Sequence, residues 1–204
     1  MAFTICSTLL SQTITPSCDN PILTGIESVG VIINRDDIDL GSVVKNATKK
    51  NVIETLAIKS GKKGYQIYIP SNTPFNGTKI TMATGANSNK WNSEVAFTVL
   101  NNDPDVTSKI IDGLANGTYV VVLQNKYNNT DKTSTPSDSV FQVFGFEKGL
   151  RASAIENDKY SADTDGGWSV VLTEELHPKA GHFLYNTDYD TTYTQFEALI
   201  NVAA

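Results

Sequence analysis

The segment Asn102–Gln124, NDPDVTSKIIDGLANGTYVVVLQ, decides the fold class. Asn102 or Asp103 can accept from the first free amides of a helix, and Pro104 suits its first turn. Val106, Ile110 and Leu114 recur at i, i+4 and i+8, with Ile111 beside them, so the helix carries one apolar stripe. Asn116-Gly117 predicts its end, with the glycine in the left-handed region. The helix is expected over 104–115. Thr118 to Gln124 (TYVVVLQ) follows at once, and its unbroken apolar run predicts a strand buried on both faces. A helix with one apolar stripe beside such a strand is expected to cover one face of a sheet.

Outward from this segment, the chain reads as strands. Ile26 to Asn34 (IESVGVIIN), Val52 to Lys59, Tyr65 to Pro70 and Val95 to Leu100 precede the helix. Ser139 to Phe146, Gly149 to Ile155, Trp168 to Leu172 and Ala180 to Tyr185 follow it, and Gln195 to Asn201 reads as a short helix or strand. β-Branched and aromatic residues fill these runs, and Gly, Pro, Asn and Asp separate them. Residues 71–93 read as a long loop or hairpin excursion with a short apolar patch at Ile80 to Met82. Strand follows strand with one helical interruption and no repeat. The expected fold is mainly β: a β-sandwich or barrel over residues 21–187 with one packed helix. An N-terminal arm (1–20) and a C-terminal segment (188–204) flank it.

Charge is sparse, at 19% of residues against roughly 25% in an average globular chain. Thr, Asn and Ser supply the polarity instead, with 57 of 204 positions. Residues 1–150 balance 13 acids against 13 bases, so the net charge of -6 comes wholly from residues 151–204, with 9 acids and 3 bases. There is no basic tail or domain of the kind that holds nucleic acid. No window approaches the 18 apolar residues of a membrane-spanning helix, and no membrane partner is expected. The first base is Arg35, and Thr and Ser interrupt the opening apolar residues, so no secretory signal is read and use from the cytosol is expected. Cys6 and Cys18 are then expected as free thiols, although their spacing permits a bridge. Four Asn-x-Thr sequons, starting at Asn46, Asn76, Asn116 and Asn128, are expected to stay unmodified.

Motifs for chemistry are missing. There is no Walker A loop, no G-x-G-x-x-G and no G-x-S-x-G. Gly61-Lys62-Lys63-Gly64 lacks a phosphate cradle and reads as a basic hairpin turn. His177 and His182 lie near Glu174 and Glu175, but their spacing crosses Pro178 and differs from H-E-x-x-H. They read as loop histidines without a ligand. Asp158, Asp163 and Asp165 depart from the calcium-loop pattern and read as a solvated acidic loop. No catalytic residue, metal or cofactor is expected, and the chain is not read as an enzyme.

What remains favours assembly. The excursion 71–93, the N-terminal arm and the acidic segment beyond Asp188 look like parts that reach neighbouring subunits. Asn72, Phe75, Lys79, Lys90 and Trp91 are the candidate assembly contacts. The stretch Ser139–Leu172, SVFQVFGFEKGLRASAIENDKYSADTDGGWSVVL, then resembles the C-terminal hairpin of tailed-bacteriophage tail tube proteins. Cys18-Asp19-Asn20-Pro21 through Ile38 is similar to the opening of virion proteins from phages of Bacteroidetes hosts. The resemblance implies a β-sandwich subunit that self-associates into hexameric rings. The rings would stack as a tube in the virion tail, meet other tail proteins, and be assembled in the bacterial host cytoplasm. DNA would pass through transiently on ejection without specific binding, and an acidic lumen would repel its phosphates. The alternatives are a capsid decoration, neck or tail-completion protein, or a β-sandwich binding module.

Overall fold

The strand TYVVVLQ sits in the middle of a seven-stranded sheet, with residues 119–123 all buried. The computed structural model describes residue 10 and residues 13–15, 23–85, 88–126 and 139–201. Cys6, Cys18, the sequon at Asn128 and most of the 1–20 arm lie outside the described residues. The fold is mainly β, as expected. The large sheet has the order β2-β3-β11-β8-β7-β1-β4. Its strands are β1 (Ile26–Asn34), β2 (Val44–Lys45), β3 (Val52–Thr55), β4 (Tyr65–Tyr68), β7 (Tyr119–Asn125), β8 (Phe141–Phe144) and β11 (His182–Leu184). A small sheet has the order β5-β6-β10-β9. It consists of β5 (Lys79–Ala83), β6 (Lys90–Val99), β9 (Arg151–Glu156) and β10 (Trp168–His177). Neighbours pair antiparallel, except β3 and β11, which run parallel.

Two cores follow from the period of a strand. Alternate residues of β1 and β7 point to opposite faces of the large sheet. Ile32, Val121 and Leu123 face the small sheet and meet Val95, Phe97, Val170 and Leu172. Val31, Ile33, Val120 and Val122 face the other way, into a second core that takes Phe196 from a helix at Tyr189–Ala198 and Leu199 from its C-terminal cap. This last helix is where the sequence reading left helix or strand open. Asp188 caps it by accepting from the Thr191 amide at 2.7 Å, which holds its carboxyl below the ordinary value. The segment beyond Asp188 is therefore no free-standing tail. It closes the second core.

The central helix begins where expected, with the Asp103 carboxylate accepting from the Val106 amide at 2.8 Å. It runs as α-helix over Pro104–Val106, as π-helix over Thr107–Ile111 and as α-helix over Asp112–Asn116. The wider π turn adds a residue between apolar positions and shifts their phase. The buried stripe is therefore Val106, Ile111 and Leu114, and Ile110 is exposed. That corrects the expected 106, 110, 114 stripe. Gly117 is extended (φ -88) and not left-handed. Its missing side chain matters for another reason: a methyl there would collide with the Tyr119 phenol, whose hydroxyl donates to the Gly113 carbonyl.

Other boundaries move. Strand β6 starts at Lys90 and not Val95, and β10 runs on to His177, because each of these long strands is the other's partner from Trp91 to Val99. The stretch 71–93 is thus largely a hairpin, and Ile80 to Met82 lies within strand β5.

Candidate assembly surface

The five expected contacts divide between a cleft and a strand. Asn72, Phe75 and Lys79 line a cleft of about 930 Å³ that opens between residues 72–80 and the start of β1. Lys90 and Trp91 do not line it. They lie on β6, where Lys90 faces Ala83 and Trp91 is flanked by Met82 and His177. Lys79 pairs with Glu94 across the hairpin at 3.1 Å, and Asn72 is exposed. Phe75 is used within the subunit. It is 2% exposed and sits 6.5 Å, centroid to centroid, from Phe97. Its backbone holds φ 54, which a bulky side chain rarely adopts. Gly30 leaves the room: a methyl there would stand 2.9 Å from the Phe75 ring.

The small sheet has one buried and one open face. On β6, Ser93, Val95 and Phe97 point inward and are buried. The register places Lys79, Glu94, Thr173 and Arg151 in one row across the outer face. Ala96, Val171 and Ala154 form the next row, and Thr98, Ser169 and Glu156 the one after. Thr81 with Asn92 and Ala83 with Lys90 complete the face beside β5. Most of these side chains are short. The charges nearly balance, with Lys79, Lys90 and Arg151 against Glu94 and Glu156. The acidic excess of residues 151–204 mostly lies elsewhere, in the turn after β9, on the last helix and, at Glu174, in the interior. Lys90 to Val99 alternates between the two faces at period two, but the polar Ser93 on the inward side masks the pattern in its first half.

Strands β5 and β9 form the two edges of the small sheet. Both are largely exposed. An unpaired antiparallel edge presents amides and carbonyls in strand register, ready to accept another strand.

The histidines are not loop residues. His177 ends β10 and His182 opens β11, and they are 2% and 3% exposed. His177 Nε2 lies 2.7 Å from Ser93 Oγ. Both side chains are buried, so the pair reads as a satisfied core contact. His182 Nε2 lies 2.8 Å from Glu147 Oε1, and its ring packs 5.0 Å from that of Phe146. Among the described residues, no group of three or more His, Cys, Asp or Glu is placed to hold a metal. Glu174, just past the expected end of the strand at Leu172, is 3% exposed. Its carboxylate accepts from the Lys148 and Gly149 amides. The Gly61–Gly64 turn is not the expected hairpin turn, because β3 and β4 on either side of it do not pair but lie toward opposite ends of the large sheet; Lys62 pairs with Asp37 at 3.3 Å.

Burial pushes the His182 imidazole below 6.5, and Glu147 only partly opposes this, while Lys45 and Lys179 add to it. The unfolded chain then binds a proton that the folded one resists. Stability is full above the unfolded value and falls as pH drops through about 6.5 toward the folded value, by at most about 1.4 kcal/mol per pH unit for one site. The lowered carboxylates Asp39, Asp103 and Asp188 act below 3.8. Urea midpoints between pH 7 and 5 are expected to fall, and His182→Gln should flatten that slope. An unchanged slope in the variant would remove His182 as its source.

Comparisons of this chain with protein-family models, with curated proteins and with solved structures find no match.

Proposed function

We propose that this chain is a structural virion protein, the subunit of stacked rings that form a bacteriophage tail tube and conduct DNA on ejection. One observation carries the reading beyond the resemblance: the small sheet leaves both edges, β5 and β9, exposed. A head-to-tail contact joins unlike surfaces and closes into a ring when its rotation permits. Joining β9 of one copy to β5 of the next would continue the small sheet from subunit to subunit, and a sheet that closes on itself has no edge left. Its outer face would then line the channel. Short polar side chains with balanced charge would give a polyanion nothing to hold.

Purified protein at rising concentration is expected to give rings or tubes in negative stain, with matching growth in light scattering. A stable monomer at high concentration would count against the reading. The edge can be tested directly. On an edge strand, successive amides alternate between the partner strand and solvent, and proline is tolerated only where the amide points out. Of Thr81→Pro and Met82→Pro, one removes an outward amide. That variant is expected to keep its circular dichroism spectrum and lose assembly. If both prolines assemble normally, β5 is not the joining edge. Removing residues 72–92 would not serve as a test, because it strips Phe75 and β5 from the fold.

A further inference from the structure

A groove of about 710 Å³ opens between β4, the end of β6 and the π turn of the central helix. Ile32, Phe97, Leu114 and Tyr119 form its buried floor, and Tyr65, Leu100 and Ile110 stand exposed at its rim. Strand β4 is an edge of the large sheet, where it pairs with β1. Ile110 owes its place to the π turn. In a regular helix it would join Val106 and Leu114 in the buried stripe, and the added residue swings it out to the groove. Such turns are frequent at functional sites. Lys109 is the only charged residue in the lining, and it pairs with Asp105 at 3.0 Å. The groove therefore suits an extended, uncharged segment with apolar side chains.

One part of the chain has that character. Residues 1–18 form the longest run in the sequence without a charged side chain. Within it, Thr13-Ile14-Thr15 is β-branched throughout, which favours an extended backbone. In such a backbone Leu10 and Ile14 fall on the same side. They are 78% and 85% exposed, so neither is seated in the groove of its own copy. The arm joins the fold at Leu23, which lines the cleft at the start of β1 together with Ile26. The groove takes Ile32 and Asn34 from the end of β1. From Ile26 to Asn34 the strand rises about 26 Å, and the chain from Ile14 to Leu23 spans up to about 30 Å. That length reaches the groove of the same copy as well as that of a copy stacked end to end. The exposure of Leu10 and Ile14 in the single subunit favours the second.

We infer that residues 10–15 of one copy dock in the groove between β4 and the π turn of a copy placed end to end with it. Leu10 and Ile14 cover Tyr65, Leu100 and Ile110 there. The joined edges of the small sheet link copies side to side, and this contact links them end to end. It supplies the stacking of ring on ring, and in that respect it rests on the ring reading above.

Photocross-linking tests it. Full-length protein carrying p-benzoylphenylalanine in place of Ile14 is made in light and isotope-labelled heavy form, mixed one to one at low concentration, concentrated and irradiated. Cross-links are expected between light and heavy copies, from position 14 to Tyr65–Tyr68, Leu100 or residues 107–114. Adding Ile110→Glu should lower their yield at least tenfold with the circular dichroism spectrum unchanged, and Leu100→Glu takes its place if that variant folds poorly. No cross-link between copies, cross-links to other surfaces, or a yield that neither substitution lowers overturns the docking. Stacking is read separately in negative stain, where Leu10→Ser with Ile14→Ser should leave single rings in place of tubes. Tubes of wild-type length in that variant overturn the docking as well. Wild-type protein that forms no rings overturns the ring reading, and cross-links between copies in the same sample would still uphold the docking.

Discussion

Phe75→Ala is expected to destabilise the subunit by about 3–5 kcal/mol, in the range for removing a buried aromatic ring. The ring is 2% exposed and fills a pocket against Phe97 and Gly30. Gly30 lies on β1, between β4 and β7 in the large sheet, so the surrounding backbone is tied on both sides and collapses little into the vacated space. The left-handed backbone at Phe75 sharpens the point. Alanine inherits the same strain with none of the packing, whereas Phe75→Gly should recover roughly 1 kcal/mol of it. Urea unfolding at constant m-value measures both. A loss under 1 kcal/mol for Phe75→Ala would mean that the 72–78 segment is not anchored by this ring. The same experiment removes Phe75 from the set of assembly contacts, because its loss acts on the subunit before any neighbour is met.

The second large effect is expected at Glu174. Its carboxylate is buried and accepts from two consecutive amides, of Lys148 and Gly149, in the connection between β8 and β9. Alanine would leave the buried Gly149 amide and the part-buried Lys148 amide without a partner, at a cost of about 2–4 kcal/mol. Glutamine keeps an acceptor oxygen and loses the charge, so it should cost less than half as much. The damage should be local at first. Arg35 holds the same connection from the other side by donating to the Glu147 carbonyl at 2.7 Å. Hydrogen exchange in Glu174→Ala is therefore expected to rise at residues 145–150 before the rest of the sheet opens. Alanine within 1 kcal/mol of wild type would show that water replaces the carboxylate.

These two side chains mark where sequence reading stops. Strands β1 and β7 and the central helix were legible because their signals are local: unbroken apolar runs, a capping Asp and the helical spacing of Val106 and Leu114. Strand β5 and the first half of β6 were obscured by their polar open face, which makes a one-sided strand look like a loop. The burial of His177, His182 and Glu174 depends on Ser93, Glu147 and the 148–149 amides, partners that spacing does not reveal. The single added residue of the π turn defeated a correct helical period. One signal was present and went unread. Tyr189, Tyr193, Phe196 and Ile200 recur at i, i+4, i+7 and i+11 behind a capping Asp188, and they mark the last helix and the face it turns to the second core.

The parallel pairing of β3 with β11 has a consequence in time. It joins Val52 to Phe183, about 130 residues later in the chain. At about 5–20 residues per second of synthesis, strand β3 waits on the order of 10 s for its neighbour. The small sheet is delayed in the same way, since β9 and β10 come from the last third of the chain. A chain broken off early thus holds no finished sheet. The order of the strands leaves both sheets open until the last third of the chain has been made.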